Sequence, residues 1–176
     1  MNIYDAPSKI CWVILTKEMR MEHLNEYTKE SLIFPHLVMS SREEVLDYMS
    51  NKLKDEGYVT EQFIDGVKSR EREFPTGLKL GYIGCAIPHS EKEFVNKPAV
   101  SICILKDEVL FQNMENPMEE ISVKIIFMLA INNSEQQLSV LQEVIGLIQS
   151  EETINKLIKA KSKREILSVL ELSEIS

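Results

Sequence analysis

Apolar residues recur at helical spacing in the first half of the chain. The segment 41–44, Ser-Arg-Glu-Glu, has the form of a capping box and predicts a helix that ends near Gly57. The buried face of this helix is predicted to consist of Val45, Leu46, Met49 and Leu53. Thr60 is predicted to cap a second helix, whose inner side carries Phe63, Ile64 and Val67. The segment 74–77, Phe-Pro-Thr-Gly, ends that helix and opens a loop.

Strand-like runs fill the middle of the chain, and helical patterns return after it. Strands are predicted at 82–87, 99–105 and 121–131, with a short edge strand at 109–111. The segment 134–137, Ser-Glu-Gln-Gln, predicts a capped helix with an inner stripe of Leu138, Leu141, Ile145 and Ile148. Glu151 begins a shorter helix and Ser162 caps a last one. Their predicted inner residues are Ile154, Leu157, Ile158, Ile166, Leu167 and Leu170. This order of elements predicts an α/β or α+β sandwich around a small sheet.

The size and charge of the chain narrow its class. With 176 residues, 44% of them hydrophobic, it is long enough for one domain with a real core. The formal charge of −8 disfavours a binder of duplex nucleic acid, which usually has the opposite balance. No apolar run approaches the length that spans a bilayer. Residues 1–20, which hold Trp12, match nothing downstream, so we expect an N-terminal extension followed by one domain over 21–176.

Few residues are available for chemistry. Cys11, Cys85 and Cys103 form no Cys-x-x-Cys pair, and the last two are predicted to be small core residues. The chain has no P-loop, no Gly-x-Gly-x-x-Gly motif, no His-Glu-x-x-His motif and no Gly-x-Ser-x-Gly elbow. With three well-separated histidines, a metal site is not expected. Any chemistry must therefore come from isolated side chains.

His89 differs from the other two histidines in its local pattern. It ends a strand-like run and follows Pro88, which cannot donate to a sheet ladder, so its imidazole is presented at a strand end. His23 is predicted to lie at the surface, and His36 to have a half-buried structural role. By this pattern alone, a structural His89 is favoured over a functional one.

The motifs around His89 reverse that interpretation. Arg70-Glu71, Pro75-Thr76-Gly77-Leu78 and Ala86-Ile87-Pro88-His89 occur in order, and matching segments follow at 95–99, 109–114, 125–131 and 137–141. This series, over roughly residues 41–170, resembles the type 2 (fructose/mannitol) enzyme IIA components of the bacterial phosphoenolpyruvate-dependent sugar phosphotransferase system. The Pro-Thr-Gly-Leu and Phe-x-x-Met segments resemble the galactitol-like branch of that family. Gln137 stands where mannitol-type members tend to carry a second histidine.

The resemblance implies both a fold and an activity. The fold is a single-domain α/β/α sandwich with a small mixed sheet flanked by helices. The activity is phosphoryl transfer, in which His89 accepts phosphate from the phosphocarrier protein HPr and passes it to a IIB component, so that sugar is taken up and phosphorylated. A lone imidazole suits this role, since a pKa near ~6.5 leaves it largely neutral in the cytoplasm. The reactive nitrogen implied is Nε2.

The resemblance also nominates the neighbours of His89. Arg70 is expected to meet the incoming phosphate, the alternative being a solvated arginine at a helix end. Glu71, Thr76 and Gln137 are phosphate-binding or site-lining candidates. Thr76 is either a hydroxyl donor or a simple loop residue. Gln137 either orients His89 or the phosphate, or only closes the capping box with Ser134.

The implied partners are HPr, a IIB component and, indirectly, the membrane IIC permease. No cofactor, metal or nucleic acid is expected, a homo-oligomer is left open, and the location is cytoplasmic with peripheral association through the permease. The acidic balance would suit docking of a basic carrier face, or would serve only solubility. Two other functions stay open: a regulatory phosphoacceptor of the nitrogen-related branch, and a non-catalytic binding module with a structural His89.

Overall fold

Helices cover both faces of a five-stranded sheet in the computed structural model, which describes residues 22–173. The helices are α1 (Glu22–Tyr27), α2 (Arg42–Asp55), α3 (Gln62–Glu73), α4 (Ser134–Gln149), α5 (Glu151–Lys159) and α6 (Lys163–Leu172). The strands are β1 (Thr28–Leu37), β2 (Gly77–Lys79), β3 (Gly84–Ala86), β4 (Ala99–Gln112) and β5 (Glu120–Ala130). A 3₁₀ turn spans Lys92–Phe94. The extension predicted over residues 1–20, with Cys11 and Trp12, lies outside the described residues.

The sheet is mixed, with the strand order β1-β4-β5-β3-β2. β1 runs parallel to β4, and β3 runs parallel to β5. The pairs β4–β5 and β2–β3 are antiparallel. β3, the strand that leads to His89, therefore lies between the longer β5 and the short edge strand β2.

Two hydrophobic cores fill the space between the sheet and its helices. Alternate residues of β4 and β5 point to opposite faces, as the pleat of a strand requires. One core joins the sheet to α4, α5 and α6, and its strand residues include Ile102, Ile104, Ile125, Phe127 and Leu129. The other joins the sheet to α2 and α3 through Cys103, Ile126 and Met128, among others. The predicted α/β/α sandwich with a small mixed sheet is confirmed.

Local capping signals located two of the helices correctly. Oγ of Ser41 accepts a hydrogen bond from the Glu44 amide at 3.2 Å, and Ser162 caps α6 in the same way. α5 begins at Glu151, as predicted, and Ser150 is its cap. The expected cap at Thr60 is wrong. α3 begins at Gln62, and the Phe63 amide bonds to the backbone carbonyl of Thr60 rather than to its hydroxyl. The Thr60 hydroxyl oxygen is buried and has no hydrogen-bond partner within residues 22–173.

The strand prediction needs four corrections. β1 was not predicted, because charged residues at its start and Pro35 within it break the apolar pattern. β2 lies in the segment predicted as a loop, and β3 is shorter than the predicted 82–87. The edge strand predicted at 109–111 is the end of β4, which continues through a register shift between Ile104 and Val109.

α4 is capped and rotated differently from its prediction. Asn133, not Ser134, is the N-cap, since its side chain accepts hydrogen bonds from the amides of Glu135 and Gln136. The buried face consists of Val140, Glu143, Val144, Leu147 and Ile148. Leu138 and Ile145, predicted to be inward, are 57% and 38% exposed. The helix carries two apolar stripes. The buried stripe was not recognised in the sequence because it contains the acidic residue Glu143.

That acidic residue explains the position of His23. Oε1 of Glu143 lies 3.0 Å from Nδ1 of His23, and Oε2 accepts the Leu24 amide at 2.7 Å. His23 is therefore half-buried and links α1 to α4 through its contact with Glu143, whereas a surface residue was expected. Nε2 of His36 donates to the Ala160 carbonyl at 2.8 Å, which agrees with a structural role, but the residue is exposed rather than half-buried as predicted. Its backbone has a positive φ of 52°. Cys85 and Cys103 are buried core residues, as predicted.

Membrane insertion by a helix has no support in residues 22–173. None of the helices there combines the length and the apolar character that crossing a bilayer requires.

Candidate phosphoryl-transfer site

His89 lies where the chain leaves β3 and continues beside β5. Pro88 has no amide hydrogen, but its carbonyl accepts the Leu129 amide at 2.9 Å, so one ladder bond to β5 persists beyond the strand. A single bridge between His89 and Leu129 marks the end of this pairing. The imidazole is half-buried and projects from a rigid sheet.

One hydrogen bond fixes the tautomer of the His89 ring. Nδ1 lies 2.9 Å from the backbone carbonyl oxygen of Ile87. A carbonyl oxygen only accepts hydrogen bonds, so Nδ1 must carry a hydrogen. In the neutral ring the lone pair is then on Nε2, which is the nitrogen available for attack on phosphorus.

The surroundings of His89 favour this neutral form. Burial lowers its pKa below the ordinary value of 6.5, and the positive charge of Arg70 acts in the same direction. The hydrogen bond to Ile87 and the negative charge of Glu91 oppose the shift. Because burial dominates, the neutral form of the imidazole is favoured near neutral pH.

Arg70, in the last turn of α3, presents an incompletely paired guanidinium beside this ring. Its Nε is buried and has no hydrogen-bond partner in the described part of the chain. Nη1 lies 3.9 Å from Oε1 of Glu91, too far for a hydrogen bond. The guanidinium carbon lies 5.5 Å from the centre of the Phe74 ring, which helps to hold it in place. Because 35% of the side chain is exposed and the contact to Glu91 is long, the outer nitrogens of the guanidinium are open to an anion.

A glycine in α3 allows the segment after His89 to approach that helix. A Cβ on Gly66 would lie 2.3 Å from Oγ of Ser90 and 3.0 Å from the Phe94 ring. Only hydrogen at this position leaves room for the segment 89–94 against α3. Ser90 is 7% exposed, and its hydroxyl oxygen has no hydrogen-bond partner within residues 22–173.

His89 and Arg70 line one open cleft of about 230 Å³. Three parts of the chain form it: the end of α3, the segment 89–93 and the start of α4. Its lining consists of Arg70, His89, Ser90, Glu91, Lys92, Glu93, Ser134 and Gln137. Since Asn133 caps α4, Gln137 is not needed for a capping box with Ser134, and its half-buried side chain lies at the cleft.

The other two predicted site residues lie behind the cleft and do not line it. Glu71 and Thr76 are 1% and 3% exposed. The Thr76 hydroxyl donates to Oε2 of Glu71 at 2.7 Å, and the Thr76 amide donates to Oε1 at 2.9 Å. Burial raises the pKa of Glu71, although these hydrogen bonds and the nearby arginines Arg42 and Arg70 oppose the rise. Neither side chain reaches a group bound in the cleft.

Sequence reasoning did not nominate Ser90 or Glu91. Both follow His89 directly, but only the fold shows that one packs against α3 and the other reaches toward Arg70. The signal that was available is Gly66, a glycine inside a helix, which often marks a close approach of another segment.

Comparison with known proteins identifies the family. The model of the family "Phosphoenolpyruvate-dependent sugar phosphotransferase system, EIIA 2" matches residues 26–173. The chain belongs to this family. It is thus a phosphotransferase and a phosphoryl-transfer component of a sugar phosphotransferase system.

Named relatives cover most of the domain. The galactitol-specific EIIA component of Escherichia coli (strain K12) is 30% identical over 117 residues, which are 66% of this chain and 77% of the relative. The mannitol-specific phosphotransferase enzyme IIA component of Bacillus subtilis (strain 168) is 31% identical over 134 residues, 74% of this chain and 87% of the relative. The fold matches the complex of enzyme IIAMTL and phosphorylated enzyme IIBMTL from Escherichia coli, with a TM-score of 0.66, 24% identity, and coverage of 82% of this chain and 98% of that chain.

Proposed function

We propose that His89 is the phosphoryl acceptor of this EIIA 2 protein and that it reacts through Nε2. One observation carries the proposal: Nδ1 is engaged with the Ile87 carbonyl, while the same ring lines a cleft together with the partly exposed side chain of Arg70. Phosphoryl transfer needs in-line positioning and stabilisation of charge rather than a complex set of catalytic groups. A fixed imidazole beside a guanidinium supplies both.

The transfer step balances without a further reactant. The lone pair of Nε2 forms the new N–P bond as the bond between phosphorus and its leaving group on the donor breaks. The hydrogen on Nδ1 stays in its bond to the Ile87 carbonyl, so the phosphorylated ring retains it. Arg70 binds the phosphoryl oxygens through charge-assisted hydrogen bonds. In the onward step, a nucleophile of the next carrier attacks phosphorus while the N–P bond breaks, and the electron pair of that bond returns to Nε2.

The proposed donor is HPr and the proposed recipient a IIB component, with the IIC permease reached only indirectly. Family membership and the relative that forms a complex with phosphorylated enzyme IIB support these partners. A cytoplasmic location, with contact to the membrane through the permease, belongs to the same proposal.

The phosphoryl group on His89 must be easily transferred onward, and the charges in the cleft suit this requirement. Glu91 and Glu93 line it together with the cations Arg70 and Lys92. Their negative charges limit how tightly the phosphoryl group is held. The site therefore suits a carrier rather than a phosphate store.

Intact-mass measurement tests the acceptor. After incubation with phosphoenolpyruvate, enzyme I and HPr, the wild-type protein should gain one phosphoryl group, about 80 Da, that is lost in acid and kept in base, as a phosphoramidate is. His89→Ala should gain none, whereas His23→Ala and His36→Ala should be phosphorylated like the wild type. An acid-stable adduct, or any adduct on His89→Ala, would refute the mechanism.

The same experiment separates the other functions. Absence of an adduct on the folded wild-type protein would favour a binding module. An adduct that no IIB component accepts would favour a regulatory phosphoacceptor. Rapid transfer to a IIB component supports the transport role.

For the sugar, galactitol is the first candidate, since relatives named for galactitol and mannitol both match this chain. We expect the phosphorylated protein to transfer phosphate faster to a galactitol-type IIB component than to a mannitol-type one. Faster transfer to the mannitol-type IIB component would reverse this assignment.

A further inference from the structure

A continuous hydrogen-bonded chain connects α3 to His89 from the side away from the cleft. The Thr76 hydroxyl donates to Oε2 of Glu71 at 2.7 Å and accepts the Ile87 amide at 3.2 Å. The carbonyl of Ile87 in turn accepts Nδ1–H of His89 at 2.9 Å. Every link is buried or half-buried, so water competes weakly for these bonds.

The Ile87 amide needs this arrangement. The antiparallel pairing of β2 with β3 ends at Gly77 and Ala86, so Ile87 lies just beyond the ladder. A buried amide without an acceptor is costly, and the Thr76 hydroxyl supplies the acceptor. The orientation of Thr76 is fixed in turn by two hydrogen bonds to the Glu71 carboxylate.

Burial of the Glu71 carboxylate costs folding free energy, which is unusual for a residue with a purely structural role. It lies in the last turn of α3, where the helix dipole disfavours a negative charge, and it is almost completely buried. A buried carboxylate of this kind is expected where an exact orientation has to be held, as with groups that orient the ligands of a metal.

We propose that Glu71 and Thr76 form a positioning pair that acts through the backbone of Ile87, whose amide and carbonyl lie in two successive peptide groups, to fix the tautomer and direction of the His89 ring. The pair touches no phosphate. It holds the Ile87 carbonyl where only the Nδ1–H form of His89 can bond to it, and so keeps the lone pair on Nε2. This inference rests on the proposed role of His89 as acceptor.

Thr76→Val is the principal test, because it keeps the shape and the backbone amide but removes the hydroxyl. Thr76→Ser restores the hydroxyl. Thr60→Val is a matched control, since the Thr60 hydroxyl oxygen is also buried but has no partner within residues 22–173. Rates are measured with phosphorylated HPr as the donor. Small misplacements of a reacting group commonly cost up to about 100-fold in rate.

We expect Thr76→Val to lower kcat by about 10- to 100-fold with little change in KM for HPr, because the docking surface is untouched. Thr76→Ser should stay within about three-fold of the wild type, and Thr60→Val should match it. In the unphosphorylated protein, ¹⁵N chemical shifts of His89 should show loss of the pure Nδ1–H form in Thr76→Val alone. Thermal unfolding verifies that each variant is folded.

The tautomer measurement keeps this inference separate from the proposed function. A wild-type protein that takes up no phosphate would refute the acceptor role of His89, whatever the state of its ring. An unchanged tautomer and rate in folded Thr76→Val would refute the positioning pair and leave the acceptor role intact. If Thr76→Val does not fold, Glu71→Gln is used instead, since it keeps the shape of the carboxylate; an unchanged His89 tautomer there also refutes the pair.

Discussion

The two sides of the His89 ring differ in how completely their polar groups are paired. On the Nδ1 side, Ile87, Thr76 and Glu71 form hydrogen bonds with one another, and all three are buried. On the cleft side, Nε of Arg70 and Oγ of Ser90 have no partner in the described residues, and the nearest carboxylate lies 3.9 Å from Arg70. In the proposed mechanism, the molecule thus fixes the nitrogen that does not react, whereas polar groups near the reactive nitrogen are left unpaired.

This difference follows from what a phosphoryl carrier must do. A group that arrives and leaves needs donors that are not already committed, since each existing bond would have to be broken on every transfer. The ring that receives it must already point along the line of attack, because reorientation costs rate. Full pairing behind the ring and incomplete pairing in front of it meet these two needs.

Among the changes at the cleft, removal of the Arg70 side chain should reduce the rate of phosphorylation most, after loss of His89 itself. A charge-assisted contact to phosphate contributes about 1.5–3 kcal/mol, so Arg70→Ala should slow phosphorylation by about 10- to 150-fold. The fold should be retained, because the side chain is partly exposed at a helix end. The measurement is the initial rate with phosphorylated HPr, together with thermal unfolding.

Arg72→Ala provides the matched control, since Arg72 is exposed in the same turn of α3 and does not line the cleft. It should react at nearly the wild-type rate. Equal losses of rate in the two variants would mean that Arg70 contributes only to the general charge of this surface. Arg70 would then no longer distinguish the cleft side of the His89 ring from the Nδ1 side.

The fold was predictable where its signals are local. Ser41 and Ser162 were each predicted as caps from the residues that follow them, and the structure uses both as caps. β1 was missed because charged residues and Pro35 break its apolar pattern and because its pairing partner β4 lies more than sixty positions away in the sequence. α4 was rotated wrongly because the stripe that faces the sheet contains Glu143, whose charge is satisfied by α1.

The residues of the site also fall into those that local sequence motifs predicted and those whose roles depend on the fold. His89 and Arg70 stand in motifs that can be read along the chain, and the fold brings both to one cleft. Thr76 was predicted to be either a hydroxyl donor or a simple loop residue, yet it lies in the interior and bonds to Glu71. Sequence alone could not show this, because the direction of the hydroxyl depends on how the loop folds back on α3.

The pH dependence of phosphorylation should reflect the environment of His89. Its pKa is lowered from 6.5, mainly by burial, so the neutral nucleophile persists to a lower pH than an exposed imidazole would allow. Phosphorylation should decline as the ring becomes protonated, and the decline should occur at a lower pH than for an ordinary histidine, whose pKa is 6.5. NMR titration of His89 in the unphosphorylated protein should give a midpoint under 6.5.

Arg70→Ala sharpens that measurement. The arginine's positive charge lowers the pKa of His89, so its removal should move the midpoint upward, with Arg72→Ala as the control that leaves it in place. A wild-type midpoint at or above 6.5 would mean that the ring is better solvated than its buried position indicates, and the contrast between fixed and open sides would weaken.

The smallest effect is expected from Glu91, the carboxylate that faces Arg70 across the cleft. Its side chain is 65% exposed and the ion pair is long, so the contact contributes at most about 1 kcal/mol. Glu91→Gln should favour phosphorylation at equilibrium with HPr by up to about five-fold, since a negative charge near the phosphoryl group is removed. It should also lower the pKa of His89, because Glu91 raises it.

Glu61→Gln is the control, since Glu61 is exposed at the other end of α3; it should change neither the phosphorylation equilibrium nor the pKa of His89. The equilibrium is measured by intact mass in mixtures of the two proteins. A shift toward unphosphorylated protein in Glu91→Gln would show that Glu91 holds Arg70 in its reactive position, and the open side of the ring would then be partly fixed as well.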